Sequence, residues 1–333
     1  MPATLQLPVQ DRSQVGEARR LACAWAAKHG SSQQQQGKLA LIVSELANNL
    51  ALHTTEGGKI LVQVLVENDP TTLEVLALDN GPGSANFTAF LQDGFSTTGT
   101  AGTGLGAVQR GSSLFEMHSN PQTGTALLSQ QGEGHESNHA HFGMINVPIR
   151  GEHVCGDSLG YLDLGGGRQR LMVADGLGHG PLAADASLAA IATFKSNPHL
   201  DLISLLQKVH TALKSTRGAA VAVAEVDANT QKLLYAGVGN IAGSIVHQVD
   251  EYSHLVSMNG TLGMACGRIQ QFSYAWQPES LLVMTSDGVK NHWRLDRYPG
   301  LINRHPSLIA GVLFRDYARD NDDATAAVLR FSV

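Results

Sequence analysis

The chain changes its pattern of apolar and polar positions about halfway along its length. In the first part, two segments place apolar residues at helical spacing, VGEARRLACAWAAKHG and GKLALIVSELANNLALHT, and the polar stretch SSQQQQG connects them. Two predicted strands follow, KILVQVLVEN and TLEVLALDN, which are joined by the turn DPTT. A glycine-rich stretch, a helix AVQRGSSLF and a hairpin around NPQTG complete a predicted unit of helices and a sheet.

The second part of the chain has more strands at shorter intervals. Early strands are predicted in INVPIRG, GYLDLGG and RQRLMVAD, and helices in PLAADASLAAIATF and LISLLQKVHTALKS. A meander follows through GAAVAVAEVD, QKLLYAGVG, AGSIVHQ, IQQFSYAW and SLLVMTSDG, and then a helix SLIAGVLFRDYAR and a last strand ATAAVLRFS. Strands so closely spaced predict a β-sandwich covered by helices, so the whole chain is predicted to be α+β.

A polar segment, GEGHESN, separates the two patterns near residue 132. Because 333 residues are enough for two domains of ordinary size, we predict a first domain over 1–131, a linker over 132–138 and a second domain over 139–333. The stretch HESNH at 135–139 matches the H-E-x-x-H zinc motif, which requires a helix. Gly132, Gly134 and Asn138 disfavour a helix there, so we interpret the stretch as linker.

Charge and cysteine usage restrict the class of protein. The formal net charge is −6 and no run of Lys and Arg occurs, which argues against nucleic acid as a partner. The three cysteines, Cys23, Cys155 and Cys266, are far apart and odd in number, which favours a reducing compartment over a disulfide framework. Neither a secretory signal pattern nor a run of 18 apolar residues is present. We therefore expect a cytoplasmic protein that does not bind a membrane.

A first group of polar residues and glycines accompanies the first predicted sheet. Glu45 and Asn49 lie four residues apart on one helix face, and Asp79 ends a predicted strand. Glycines follow in two clusters, at Gly81 and Gly83 after that strand and at Gly102, Gly104 and Gly106 before a helix. Taken singly, these features are typical of a solvated helix edge and ordinary turns. Glycines at a helix start also let backbone N–H groups approach phosphates, although the spacing fits neither a Walker loop nor the dinucleotide fingerprint.

The order of these features resembles the GHKL (Bergerat) ATP-binding fold, an α/β sandwich. Within it, SELANNLALHT and GFSTTGTAGTGLGAV are similar to the small serine/threonine kinases of the anti-sigma-factor type, over about residues 10–130. The resemblance implies that Asn49 holds the Mg²⁺ that bridges the ATP phosphates and that Asp79 receives the adenine amino group. It also implies that the five glycines shape the pocket and its lid, and that Glu45 orients or deprotonates the attacking hydroxyl.

A second group of carboxylates stands at the ends of predicted strands in the second part. VADGLGHGP at 173–181 ends a strand on Asp175 and then contains three glycines, a turn that suits a phosphate cradle, a nucleophile elbow or a metal site. Other aspartates have similar positions: Asp157 in CGDSLGYLD, Asp287 in TSDGV, and Asp322 and Asp323 in NDDAT. Each Asp-Gly alone fits a hairpin turn better. Together, carboxylates at converging strand ends suit hard divalent cations, which favours the metal site.

This set resembles the metal-dependent protein phosphatase (PPM) family, in its compact SpoIIE-type branch with an αββα sandwich, over about residues 139–333. The resemblance implies that Asp175 bridges two Mg²⁺ or Mn²⁺ ions, with the Gly176 carbonyl on one of them, and that a water between the ions attacks phosphorus. Asp157, Asp287 and Asp322 would complete the ligand shells. Cys155 is then interpreted as structural, and Arg150 is a candidate for gripping phosphate by proximity only.

A kinase-like half and a phosphatase-like half in one chain imply a reversible switch on a protein serine or threonine. By resemblance, the expected substrate is a STAS-domain regulatory protein of a bacterial partner-switching or stressosome-like pathway, with a sigma factor or signalling enzyme such as a cyclase downstream. Three interpretations stay open. Both halves are enzymes, or only the phosphatase is catalytic and ATP regulates it, or the first half sequesters a partner.

Overall fold

The computed structural model describes residues 3–65, 72–84, 104–132 and 142–330. Within these ranges the chain forms two compact units, one containing the residues before 133 together with Arg297–Arg315, and the other containing the remainder. The predicted linker beyond residue 132 and the HESNH stretch lie outside the described residues. No helix in the described ranges has the length and apolar character needed to cross a bilayer.

The first unit is built on a five-stranded antiparallel sheet. Its strands are β1 (Leu5–Val9), β2 (Gly58–Leu65), β3 (Thr72–Asp79), β4 (Leu114–Asn120) and β5 (Gly124–Gln131), in the order β1-β2-β3-β5-β4. Its first three helices are α1 (Val15–Lys28), α2 (Gln33–His53) and α3 (Gly104–Gly111). One face of α2, with Leu39, Ile42 and Leu46, is fully buried in a core with β2 and β3. The apolar residues at helical spacing thus pack into the core, and the polar side of α2 carries Glu45 and Asn49.

Helix α2 begins earlier than predicted. SSQQQQG was predicted as a polar connection, whereas the helix starts at Gln33 with Ser32 as its N-cap. The Ser32 hydroxyl accepts the N–H of Gln35 at 3.2 Å, and the Gln35 side chain accepts the N–H of Ser32 at 2.9 Å. This reciprocal capping box satisfies two N–H groups at the helix start, and glutamine is a good helix former. The prediction was therefore wrong for 33–36.

The second unit contains two five-stranded sheets. Its strands are β6 (Phe142–Val147), β7 (Asp157–Gly165), β8 (Arg168–Gly176), β9 (Ala219–Asp227), β10 (Lys232–Val238), β11 (Ala242–Gln248), β12 (Glu251–Leu255), β13 (Gln271–Ala275), β14 (Leu281–Thr285) and β15 (Ala324–Arg330). The sheet orders are β13-β10-β9-β8-β7 and β12-β11-β14-β15-β6. The sheets face each other, since the Phe142 ring stacks on the Tyr161 ring with centroids 5.0 Å apart. Helices α4 (Pro181–Lys195) and α5 (Leu202–Ala212) cover the other face of the β7-containing sheet.

Helix α6 (Pro306–Tyr317) was predicted within the second domain, but Arg297–Arg315 belongs to the first compact unit. A side chain at Gly311 would stand 2.6 Å from Leu76 Cδ2 of β3, so this part of the helix lies directly on the first sheet. Arg315 also donates to the carbonyl oxygen of Asp79 at 2.9 Å. Nearly every residue of β2 and β3 is buried, so both faces of these strands are covered. The compact units therefore divide the chain differently from the predicted boundaries.

Candidate functional site

Two of the predicted metal ligands lie directly opposite each other in one sheet. Asp157 is the first residue of β7, Asp175 is the last but one of β8, and the antiparallel register pairs them. Like charges in directly opposed positions destabilise a sheet. The sequence therefore carries an unfavourable pair at the strand ends, where a bound cation would relieve the repulsion.

The second sheet brings two more carboxylates to the same region. Asp287 follows β14 by two residues and Asp322 precedes β15 by two, and these strands pair next to each other. The charges of Asp287 and Asp322 both raise the pKa of Asp175, which shows that they lie within electrostatic reach of it. Both sheets thus contribute carboxylates to one region, and we call Asp157, Asp175, Asp287 and Asp322 the aspartate cluster.

Burial and mutual repulsion shift the titration of this cluster. Burial, followed by the charge of Asp175, raises the pKa of Asp157 well above its usual value. Burial, followed by the charges of Asp287 and Asp322, raises the pKa of Asp175 to about 7. Burial, followed by the charge of Asp322, also raises the pKa of Asp287. In each case burial and the neighbouring carboxylates outweigh the interactions that favour the ionised form, which for Asp287 include the charge of Arg319.

The cluster has features that fit a divalent cation. Oδ2 of Asp157 is buried and has no hydrogen-bond partner among the described residues, so an acceptor oxygen remains for a ligand. Among the described residues, no three His, Cys, Asp or Glu side chains lie close enough together to form a metal-binding group as they stand. The donor set consists of carboxylate oxygens, which suit Mg²⁺ and Mn²⁺. Assignment of Asp157, Asp175, Gly176, Asp287 and Asp322 as metal ligands therefore stays a prediction.

The glycines after Asp175 have a packing role that the sequence alone did not reveal. A Cβ at Gly176 would lie 2.0 Å from the Ala183 carbonyl oxygen, so the start of α4 leaves no room for a side chain. Gly178 has a φ of 88°, a left-handed conformation that most residues avoid. The absence of a side chain at Gly176 therefore lets the backbone at the start of α4 lie directly against the residue that follows Asp175.

Two residues that sequence reasoning did not assign to the site hold the cluster in place. Both carboxylate oxygens of Asp323 accept backbone N–H groups, from Ile149 at 2.8 Å and from Gly156 at 3.0 Å. Asn240 donates its side-chain N–H to Asp287 Oδ2 at 2.6 Å. The adjacent aspartates in NDDAT were a signal for Asp323, whereas no short-range pattern marks Asn240.

The structure also bears on two residues near the cluster. Cys155 is buried, and burial raises the pKa of its thiol, so the thiolate needed for nucleophilic attack is disfavoured. This supports its interpretation as a structural residue. Arg150 is exposed in the turn after β6, one residue beyond Ile149.

The predicted nucleotide site lies on the first unit. Glu45 and Asn49 are half-buried on the same side of α2, one turn apart. Asp79 ends β3, and its Oδ1 accepts the N–H of Gly81 at 2.8 Å and that of Thr125 at 3.3 Å. Burial raises the pKa of Asp79 even though these bonds oppose the shift. No donor from the described residues bonds to its other oxygen, which could receive an amino group.

Helix α3 starts at Gly104 beside Glu45. A Cβ at Gly104 would stand 2.6 Å from Glu45 Oε2, so the carboxylate lies against the first turn of α3. Gly106 is buried in this helix, and a side chain at Gly83 would stand 2.3 Å from the Asn120 carbonyl. Gly102 lies outside the described residues. The donor set of Asn49, Asp79 and a glycine helix start fits a nucleotide with its cation, and these assignments stay predictions.

Known proteins match the two parts of the chain separately. The family model of Stage II sporulation protein E (SpoIIE) matches residues 165–331, half of the chain, and the histidine kinase-like ATPase domain matches residues 8–129. The serine/threonine-protein kinase RsbT of Bacillus subtilis (strain 168) is 32% identical over 110 residues, covering 33% of this chain and 82% of RsbT. The phosphoserine phosphatase RsbX of the same organism is 23% identical over 154 residues, covering 46% of this chain and 77% of RsbX.

Solved structures agree with the predicted fold. A structure of RsbX in complex with magnesium has a TM-score of 0.51 at 20% identity, over 60% of this chain and 99% of that chain. A chain from a structure of the bacterial stressosome has a TM-score of 0.50 at 27% identity, over 57% of this chain and 98% of that chain. The predicted α+β class, with a GHKL-type domain followed by a PPM-type domain, is confirmed. The chain thus belongs to the SpoIIE family and carries a histidine kinase-like ATPase domain before its PPM-type phosphatase domain.

Proposed function

We propose that this chain is a bifunctional partner-switching regulator. Its second unit removes phosphate from phosphoserine or phosphothreonine on a regulatory protein, and its first unit uses ATP to phosphorylate the same or a related protein. The observation that carries the phosphatase assignment is the direct pairing of the buried Asp157 with the half-buried Asp175, both with raised pKa values. The naming of RsbT as a kinase and RsbX as a phosphatase supports the combination.

In the phosphatase, Asp157, Asp175, Asp287 and Asp322 would hold two divalent cations, with the Gly176 carbonyl as a further ligand. When bound, such cations polarise the phosphoryl group and lower the pKa of a water molecule toward neutrality. Asp323 and Asn240 position the loops and the Asp287 carboxylate through the hydrogen bonds described above. Mg²⁺ is favoured by the magnesium complex of RsbX, and Mn²⁺ suits the same oxygen donors.

Metal affinity should depend on pH because a cation must displace protons from the cluster. The pKa of Asp175 is raised to about 7, so its carboxyl group binds a proton below that pH and competes with the cation. Mn²⁺ affinity of the full chain, measured by titration calorimetry, should therefore rise from about pH 5.5 to about pH 8, where Asp175 is mostly ionised. Asp175→Asn should reduce this dependence. An affinity of the wild-type chain that does not change with pH would contradict the assignment.

In the kinase-like unit, Asn49 would hold the Mg²⁺ of MgATP and Asp79 would accept the adenine amino group. Asn49→Ala and Asp79→Asn should each weaken MgATP binding about 10- to 100-fold, the range for losing a bond to a charged or metal-bound group. Asn48→Ala, its neighbour on α2, is the matched control and should bind nearly as the wild type does. Calorimetry with wild-type chain and MgATP that detects no binding would overturn the nucleotide site.

A second candidate function is favoured by the position of Glu45. Its carboxylate lies against the first turn of α3, where a negative charge stabilises the helix N-terminus. A residue with that structural role need not act as a base. The first unit would then bind ATP as a sensor, or sequester a partner, while only the second unit is catalytic.

The partner that suits both activities is a STAS-domain regulatory protein, with a sigma factor or a signalling enzyme downstream. The similarity to a stressosome chain supports this class of partner. The decisive experiment incubates the chain with MgATP and the STAS-domain protein encoded nearest to it, with and without Mn²⁺, and follows phosphoprotein by mass spectrometry.

A further inference from the structure

The loop that follows Asp175 presents an apolar side chain to solvent. Leu177, two residues beyond Asp175, is 52% exposed. The position of this loop is fixed, because the N–H of Leu177 donates to the Gly218 carbonyl at 3.0 Å. One exposed leucine is ordinary on a protein surface, so its meaning depends on the side chains around it.

An arginine stands next to the same loop. Nη1 of Arg217 is 3.2 Å from the position that a Cβ on Gly178 would occupy, and its side chain is exposed. No ion pair or hydrogen bond from the described residues engages this guanidinium. Gly178 lies three residues beyond Asp175, so Arg217 brings a free positive charge to the rim of the aspartate cluster. A guanidinium presents its N–H donors in a rigid planar fork that matches two phosphate oxygens, whereas a lysine ammonium acts as a point charge without this fixed geometry.

A third loop completes the surface. Met264 is 61% exposed, and its Cγ lies 3.1 Å from the position of a Cβ on Gly218. The segment is a closed turn, since the N–H of Thr261 donates to the Ala265 carbonyl at 2.9 Å. Leu177, Arg217 and Met264 therefore lie around Gly218, and we call these three residues the docking patch.

We propose that the docking patch receives a phosphorylated protein, with Arg217 holding the phosphate and Leu177 and Met264 contacting an apolar surface beside the phosphoserine. This inference rests on the proposed phosphatase function. Charge complementarity selects the occupant, because an unpaired guanidinium beside metal-binding carboxylates matches a phosphoryl group. A small phosphate ester would use Arg217 alone, whereas a folded protein would also cover the two exposed apolar side chains. In this proposal Arg217 binds the phosphate, whereas proximity in sequence had suggested Arg150.

The test uses the full chain with Mn²⁺ and two substrates, p-nitrophenyl phosphate and a STAS-domain protein carrying phosphoserine. Arg217→Ala should lower kcat/KM for both substrates by about 10- to 100-fold, the range for a lost charge-assisted hydrogen bond. Arg217→Lys should restore only part of this loss. The double variant Leu177→Ser, Met264→Ser should raise KM for the phosphoprotein at least about tenfold more than KM for p-nitrophenyl phosphate. Lys195→Ala, an exposed cation in the last turn of α4, is the control and should match the wild type.

The outcomes separate this inference from the function on which it rests. Absence of Mn²⁺-dependent hydrolysis of both substrates by the wild-type chain would contradict the phosphatase assignment itself. Normal hydrolysis by Arg217→Ala, in a chain that is otherwise active, would overturn the phosphate contact. Equal changes in KM for the two substrates in the double variant would overturn the apolar docking.

Discussion

Asp175→Asn is expected to lower hydrolysis of phosphoprotein and of p-nitrophenyl phosphate by at least about 10³-fold. Asp175 lies in one sheet and interacts electrostatically with Asp287 and Asp322 of the other, since their charges raise its pKa. Losing a direct ligand removes Lewis-acid stabilisation worth several kcal/mol, and each 1.36 kcal/mol corresponds to tenfold in rate. The measurement is steady-state hydrolysis by the full chain with saturating Mn²⁺.

A control and a stability measurement distinguish loss of chemistry from loss of fold. Asp163 is exposed at the far end of β7, so Asp163→Asn removes the same charge from the same pair of strands and should leave activity unchanged. Asp175→Asn should not lower the melting temperature of the metal-free chain at about pH 8, because it removes repulsion between neighbouring carboxylates. Activity of Asp175→Asn within about tenfold of wild type would reject the metal assignment.

Glu45→Gln should lower phosphotransfer from ATP by about 10²- to 10⁴-fold, the usual contribution of a general base. Glu45 and the predicted cation ligand Asn49 lie one turn apart on α2, so the carboxylate could take the proton of an incoming hydroxyl near the γ-phosphate. MgATP affinity should stay nearly the same, because a carboxylate is not a ligand that phosphates favour. Phosphotransfer is measured in a chain that also carries Asp175→Asn, so that product is not removed as it forms.

The alternative role of Glu45 makes a different prediction. If the carboxylate only caps α3, Glu45→Gln lowers the melting temperature modestly, by an amount that corresponds to about 0.3–1 kcal/mol, and phosphotransfer stays at the wild-type rate. Glu17→Gln, an exposed carboxylate in the first turn of α1, is the matched control for loss of charge. A normal rate in Glu45→Gln would therefore favour the sensing or sequestering function of the first unit.

The strand-end aspartates were accessible from sequence because each follows or precedes an apolar run of extended periodicity. Such runs locate strand ends within a few residues, and strand ends in a sandwich converge, so Asp157, Asp175 and Asp287 could be grouped without a structure. The register that places Asp157 directly opposite Asp175 depends on long-range pairing and was not predictable.

Other features depended on contacts that no local pattern specifies. The apolar periodicity of SLIAGVLFRDYAR predicts a helix but not which sheet it covers, and the helix lies largely on the first sheet through Gly311 and Leu76. Arg217 is distant in sequence from Asp175, and the pairing of β8 with β9, continued by the backbone bond from Leu177 to Gly218, brings it to the loop. The start of α2, in contrast, was readable from the Ser-x-x-Gln capping box and was missed because the glutamine run was interpreted as a connection.

Mass spectrometry of the STAS-domain protein after incubation with MgATP tests the claim that one chain both adds phosphate to this protein and removes it. Phosphoserine or phosphothreonine should accumulate with Asp175→Asn, stay low with the wild-type chain and Mn²⁺, and be absent with the double variant Glu45→Gln, Asp175→Asn. Failure of phosphoprotein to accumulate with Asp175→Asn, although the wild-type chain dephosphorylates the same protein, would contradict the claim and leave a phosphatase with an ATP-binding regulatory domain.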